Sequence, residues 1–469
     1  MRILLINPPV PNIMRESLPE VVEEISSHCP PLGLLYIAAY IEDIPQCEVK
    51  ILDCQAEKID HDGLKIEISQ FSPDIVGIQA MTFTLIDAIM VSVNAKNISQ
   101  NTKVVLGGPH PTLYPIETVK IPSVDFVVFG EGEYPFRKFV QKMVEGKSAD
   151  GIQGLISKSQ IHFDMDINYI QDLDSLRRPA YHLINIENYS SVFSPDKRIM
   201  TMMSSRGCPG RCIFCDRPQM GKKFRKKSAK KVFDEMEYCV NQLGVNQIVF
   251  YDDTFTIDRQ RVIDICDLII DNCLNIKWDI RARIDNMNET MITKLAKAGC
   301  CRISFGIETG SDRLQNHIKK HVNLEKAANI VKFANNAGVE VLGYFMIGLP
   351  TEKREDVEKT IKYMMSLPID YAHIAIFTPY PGTAFYNEMI KSSNEVDYWR
   401  SFAKSPSLDF QPKYWNEKFS DQELFRLLEK SYKRFYSRPI YILKRLFKIK
   451  SFQDLLHKTK LGLRILMIR

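Results

Sequence analysis

The chain has no run of apolar residues long enough to span a bilayer. Its most apolar longer stretch, residues 75 to 93, is interrupted by Gln79 and Asp87 and divides into a strand pattern and a helix pattern. A secretory leader is not expected either, because the run Ile3 to Ile6 ahead of Asn7-Pro8-Pro9 is too short and no small-residue cleavage pattern follows. Low-complexity segments and short-period repeats are lacking. Charge of one sign is scarce, at 62 Lys and Arg against 57 Asp and Glu, a surplus too small to imply a nucleic-acid partner. Eleven cysteines is an odd number that does not make a bridged framework, and three of them crowd into eight residues. Reduced thiols and a cytoplasmic setting follow. With 45% hydrophobic and 25% charged residues over 469 positions, disorder, collagen and small disulfide scaffolds are excluded and about three domains are expected.

What is present is two alternating β and α series. Over residues 1–150 short β-branched runs (Ile3 to Ile6, Val49 to Leu52, Ile75 to Ile78, Val104 to Leu106, Phe126 to Phe129) are separated by helical patterns, which predicts an α/β, doubly wound, flavodoxin-like parallel sheet. Ligands of such sheets sit beyond the carboxyl ends of the strands, here Asn7, Asp53, Thr82, Gly107-Gly108-Pro109 and Gly130-Glu131-Gly132-Glu133. Residues 151–195 read as a connector. In 196–380 six further strands (Ile199 to Ser204, Gln247 to Tyr251, Ile276 to Ile280, Arg302 to Phe305, Val339 to Met346, Tyr371 to Phe377) predict a partial (β/α)6 barrel with its chemistry at the strand ends. Residues 381–469 read as helical and aromatic.

The sharpest motif follows the first barrel strand: Ser205-Arg206-Gly207-Cys208-Pro209-Gly210-Arg211-Cys212-Ile213-Phe214-Cys215. Thiolates at these spacings on one loop suit an iron–sulfur cluster, and three of them leave one iron open to another ligand. A structural zinc site is the alternative, but zinc calls for four closed ligands and no fourth Cys or His lies at zinc-finger spacing.

Cys208-x-x-x-Cys212-x-Phe214-Cys215 resembles the signature of the radical S-adenosylmethionine (SAM) enzymes. The resemblance implies a [4Fe-4S] cluster on Cys208, Cys212 and Cys215 whose fourth iron chelates SAM. One electron then cleaves SAM to methionine and a 5′-deoxyadenosyl radical. It implies SAM contacts from Phe214, from Asp252 and Asp253 after the second strand, from Arg281 near the end of the third, from Glu308 in Gly306-Ile307-Glu308-Thr309-Gly310, and from Gly348. Each segment has a plainer use: a helix cap for the aspartates, an ion pair for Glu308, a turn for Gly348 and Pro350.

The first sheet, with its two glycine-pair loops, resembles the cobalamin-binding half of cobalamin-dependent radical SAM enzymes, and the two resemblances span roughly residues 1 to 380. Asn7, Thr82, Gly107, Gly108, Gly130, Glu131, Gly132 and Glu133 are the implied cobalamin contacts. Where many cobalamin domains carry Asp-x-His-x-x-Gly, this chain has Asp53-Cys54-Gln55-Ala56-Glu57-Lys58, so the cobalt-ligating histidine is absent and the corrinoid is expected with its nucleotide tail displaced. His110 is read as an exposed loop histidine, and a flavodoxin-like domain for another ligand remains the plainer alternative.

The resemblance implies a C-methyltransferase on an unactivated carbon, or a ring-forming enzyme of the anaerobic magnesium-protoporphyrin ester cyclase type. Methylthiolation is disfavoured, since no second Cys triad precedes Cys208 and no RNA-binding module follows. A corrinoid-binding sensor is the non-enzymatic reading. The expected partners are a small, hydrophobic or polycyclic substrate and a reductant such as ferredoxin or flavodoxin. From Lys430 to Arg469 twelve Lys or Arg face one acidic residue, and the stretch Tyr441 to Lys450 mixes basic and apolar residues at helical spacing. That pattern suits a peripheral contact with an anionic membrane, a cover for a hydrophobic substrate, or a solvated face docked on the protein.

Overall fold

The computed structural model describes residues 1–14, 29–159, 166–191, 194–216, 220–393, 396–415 and 417–447. The first sheet contains β1 (Arg2–Asn7), β2 (Glu48–Asp53), β3 (Ile75–Gln79), β4 (Lys103–Gly107), β5 (Phe126–Val128) and β6 (Leu155–Ser157), in the order β2-β1-β3-β4-β5-β6. The first five are parallel and β6 pairs antiparallel to β5. β6 lies in the stretch read as a connector; three residues are too few to show alternation in sequence.

β1 reads as a continuous apolar run because helices cover both faces of the sheet. Ile3 and Leu5 pack on one side with Leu35 and Phe136, from the helices Leu32–Ile41 and Glu133–Val144. Leu4 and Ile6 pack on the other with Ile68 and Val91, from His61–Phe71 and Leu85–Ile98. Strand order reverses at β1, so a crevice opens beyond the ends of β1 and β3, where such folds take ligands.

The second sheet is the partial barrel: β7 (Ile199–Met202), β8 (Gln247–Phe250), β9 (Lys277–Ala282), β10 (Cys300–Glu308), β11 (Glu340–Ile347) and β12 (Tyr371–Ile376), all parallel and in sequential order. β10 is longer than the sequence pattern suggested, because its polar inward positions interrupt the apolar run. The outward face (Ile248, Trp278, Ile280, Ile303, Val341, Ile374) joins the main core with the helices. The inward face carries a charged layer in register, Asp279 opposite Arg302 opposite Glu340, with Arg302 Nη2 3.0 Å from Asp279. Above it on the same face stand Arg281 and the ring pair Tyr344 and His373, 5.3 Å apart.

The open edge at β12 is closed by the helix Asp421–Tyr436. Tyr432 Oη accepts from Ile374 N–H at 3.0 Å and donates to the Ile374 carbonyl at 3.1 Å; Tyr436 repeats the pattern on Ala372. Among the described residues the C-terminal region is mostly helical up to Phe447, and Trp399 and Phe402 pack with Leu85 of the first domain. No helix among the described residues is long and apolar enough to cross a membrane. The basic stretch Lys448 to Arg469 lies outside the described residues.

Candidate cofactor site between the two sheets

The three-cysteine loop is pinched at its base. Ser205–Arg206 pairs antiparallel with Arg225–Lys226, a ribbon too short to be visible in sequence, and residues 207 to 224 form the loop between. Gly207 turns it with φ +82°; a Cβ there would collide with backbone carbonyls, Met220 at 2.7 Å and Gly221 at 2.9 Å among them. Farther along, Ile213 N–H donates to the Ile318 carbonyl and Phe385 N–H to the Ile213 carbonyl, tying the loop to the barrel.

Cys208, Cys212 and Cys215 are free thiols. Gly210 N–H donates to Cys208 Sγ at 3.4 Å and Arg283 Nη1 to Cys212 Sγ at 3.6 Å; Thr254 Oγ1 stands 3.9 Å from Cys208 Sγ. Burial, with the neighbouring Cys212, Asp253 and Cys208, pushes the Cys215 thiol up to about 12. Among the described residues no three His, Cys, Asp or Glu side chains close around one point as ligands of a single ion. Donors aimed at two of the sulfurs suit thiolate ligands of an iron–sulfur cluster. Thr254 and Arg283 lie in the strand-end segments Tyr251 to Phe255 and Arg281 to Arg283 without being singled out there, and Lys320, whose carbonyl holds Arg283 Nη2 at 2.8 Å, escaped the sequence reading; the pairing of Arg283 with a loop 71 residues away has no local signal.

The residues expected around SAM separate into two sets. Phe214 is half-buried, with Lys320 Nζ 5.6 Å from its ring centre. Asp253 is exposed beside the loop, yet desolvation by the surrounding protein, then the charge of Asp252, raises its pKa. Arg281 is exposed on the inward face, 4.5 Å over the Tyr251 ring. The others point elsewhere. Asp252 is wholly buried and accepts from Ser204 N–H at 2.7 Å, Ser204 Oγ at 2.6 Å and Ser205 Oγ, so it fixes the end of β7 and has no free oxygen for a ligand. Glu308 is ion-paired with Lys320, and Gly348 (φ +82°) packs on Leu424 with its N–H held by Glu352 at 2.5 Å. Asp252 thus serves two serines and caps no helix, Glu308 has its ion pair, and Gly348 stands in a turn.

In the first domain a cleft of about 240 Å³ opens at the β1/β3 crevice, lined by Leu5, Gly33, Gly77, Gly107, Gly108, Gly130, Glu131, Gly132 and Glu133 among others, with Met203, Arg206 and Met220 from the barrel side. Six glycines line the slot: at Gly107 an added Cβ would meet Val128 at an ordinary contact distance of 3.8 Å, and Gly108 (φ +114°) lies against the Ala80 backbone. An apolar, glycine-walled slot fits the aromatic end of a displaced nucleotide tail. Gly33 and Gly77 were missed, although a lone glycine inside a strand such as Gly77 signals close approach.

Asn7 and Thr82 are not among the residues lining this slot. Asn7 Nδ2 is spent on Asp53 at 2.8 Å and Thr82 Oγ1 lies 3.2 Å from His110 Nδ1. His110 is not exposed but fully buried, and burial lowers its pKa to about 3, because the short helix Pro109–Leu113 turns it inward. Gln55, at the position of the missing histidine, donates to Asn7 and to the Pro8 carbonyl. Lys58, where the motif has glycine, keeps the left-handed turn at φ +57°. Glu131 and Glu133 line the slot while ion-paired with arginines of the ribbon.

Residues 202–364 match the family model described as the radical SAM superfamily, and residues 20–140 match the B12 binding domain. The chain is 36% identical over 452 residues to an uncharacterized methyltransferase of Pyrococcus horikoshii, covering 96% of this chain and 95% of the relative. It is 26% identical over 429 residues to the anaerobic magnesium-protoporphyrin IX monomethyl ester cyclase of Rubrivivax gelatinosus, covering 89% and 76%. The fold is that of the cobalamin-dependent SAM radical enzyme OxsB with aqua-cobalamin and SAM bound, at TM-score 0.73, 17% identity, and 98% and 70% coverage.

Proposed function

The chain belongs to the cobalamin-dependent radical SAM family, and from that membership we propose a C-methyltransferase acting on an unactivated carbon of a small-molecule substrate. Its cofactors are a [4Fe-4S] cluster, SAM and cobalamin. When bound, these supply a radical that removes hydrogen from the substrate and a methyl group to replace it. One observation carries the reading: the glycine-walled slot and the stems of the three-cysteine loop share a wall, through Arg206 and Met220.

In this reading Cys208, Cys212 and Cys215 hold the cluster, with Arg283 and the Gly210 N–H neutralising charge on the sulfurs. Phe214, Asp253 and Arg281 contact SAM from the barrel mouth, while Asp252, Glu308 and Gly348 shape that mouth from within. Gly107, Gly108, Gly130 and Gly132 admit the corrinoid tail. The units 1–150, 151–195, 196–380 and 381–469 then divide as corrinoid domain, connector, radical core and cover. The inward face holds the substrate carbon in position.

A ring-forming activity is the second reading, favoured by the cyclase relative. The test is anaerobic reconstitution with iron, sulfide and cobalamin, then reductant and methyl-deuterated SAM with candidate substrates. Deuterated methyl in the product selects methyl transfer; an unmethylated ring product selects cyclisation. Cleavage of SAM abolished in Cys212→Ala assigns the cluster, whereas intact SAM with cluster and corrinoid both bound selects a sensor. A reductant of the ferredoxin or flavodoxin type supplies the electron.

We extend the proposal to a hydrophobic substrate delivered at a membrane surface. In the helix Pro439–Phe447, Ile440 and Leu443 are 72% and 54% exposed beside Lys444, an apolar and basic face suited to anionic lipid. Binding of the full chain to anionic but not neutral vesicles, lost in Ile440→Asp/Leu443→Asp, is the expected result; equal recovery with both vesicle types removes the membrane from the proposal.

A further inference from the structure

We propose that Arg206 and Arg225 with Glu131 and Glu133 form a positioning clamp that links occupancy of the glycine-walled slot to SAM binding at the three-cysteine loop. The inference rests on the functional reading above and concerns how its two halves communicate.

Arg206 and Arg225 face each other across the ribbon that stems the loop, immediately before Gly207 and immediately after Phe224. Both reach one carboxylate of the first domain: Glu131 Oε1 is 3.1 Å from Arg206 Nη1 and 2.8 Å from Arg225 Nη1. Glu133 Oε1 takes Arg206 Nη2 at 2.5 Å. All four side chains are at most 5% exposed. Arg225 Nη2 also donates to the Met220 carbonyl within the loop at 2.8 Å, and the Tyr36 ring lies 5.2 Å from the Arg206 guanidinium. Two cations thus balance two carboxylates away from water, where separating them exposes unpaired charge to a low dielectric. Glu131, Glu133, Arg206 and Met220 also wall the slot. A group entering the slot therefore presses on the side chains that hold both stems of the loop, and the two sites share one rigid element.

The test uses the full chain with its cluster reconstituted, aquocobalamin as the slot probe, and the electron paramagnetic resonance change of the reduced cluster as SAM is titrated. Filling the slot is expected to lower the dissociation constant for SAM at least fivefold, and SAM to lower that of aquocobalamin, followed by absorbance, by the same factor, as linkage requires. Glu133→Gln, which keeps an acceptor for Arg206 but removes one charge, should cut that factor by half or more. Arg206→Lys, which keeps the charge but loses the fork that bridges two carboxylates, should bring it to one with iron content unchanged. A factor of one in the natural protein, or a factor unchanged in both variants, overturns the clamp while leaving the functional reading intact. A cluster-loaded chain that takes up no aquocobalamin overturns both.

Discussion

Arg283 Nη1 donates to Cys212 Sγ at 3.6 Å while its Nη2 donates to the Lys320 carbonyl at 2.8 Å, so one guanidinium joins the end of β9, the segment after β10 and the three-cysteine loop. Asp285 completes its surroundings at 3.1 Å. A cation held beside a sulfur by two other elements cannot follow the loop if the loop moves, and it fixes the charge that the cluster experiences.

Arg283→Met should retain iron but cleave SAM about 10- to 100-fold more slowly, the usual cost of removing a partner of a metal ligand. Iron content and 5′-deoxyadenosine release, measured on the same preparation, check it.

Gly107→Val should bind cobalamin at least about tenfold more weakly while loading its cluster normally. The Cβ itself meets nothing closer than Val128 Cβ at 3.8 Å, so the strand is expected to fold, but the branched side chain fills the slot. An absorbance titration with aquocobalamin reads the result.

Tyr432→Phe should destabilise the protein by about 1–3 kcal/mol, because the Ile374 N–H and carbonyl at the barrel's edge lose their buried partner. Chemical denaturation of the two proteins gives the difference. An equal midpoint and slope would show that the edge is satisfied in another way.

Glu352 is buried, its Oε1 lacks a partner, and burial raises its pKa to about 8 even though Gly348 and Leu349 N–H donate to Oε2. A carboxyl whose folded pKa lies above its unfolded value holds its proton better in the folded state, so its contribution to stability falls as pH rises from about 5 to 8. Stability relative to Glu352→Gln should therefore decline by about 1.4 kcal/mol per pH unit across that window and level off on either side. Denaturation of both proteins at pH 5, 6.5 and 8 measures the slope.

The sequence by itself determined much of this protein. Two β/α series, five strands then six, were legible because parallel strands covered on both faces leave continuous apolar runs. The cysteine triad and the glycine-pair loops were legible because their spacing is local. Tertiary structure decided what each polar residue does. Asp252 and Asp253 are neighbours in sequence, yet one caps β7 from inside and the other faces out, a consequence of β7 ending against β8 that no local pattern encodes. Glu131 and Glu133, read as ligand contacts, also hold arginines 73 to 94 residues away. His110 read as exposed and is buried, because the two-residue glycine turn ahead of it aims its helix inward. Such pairings depend on which loops two separate sheets bring together, and the free energy of burying a charge is set by what faces it after folding.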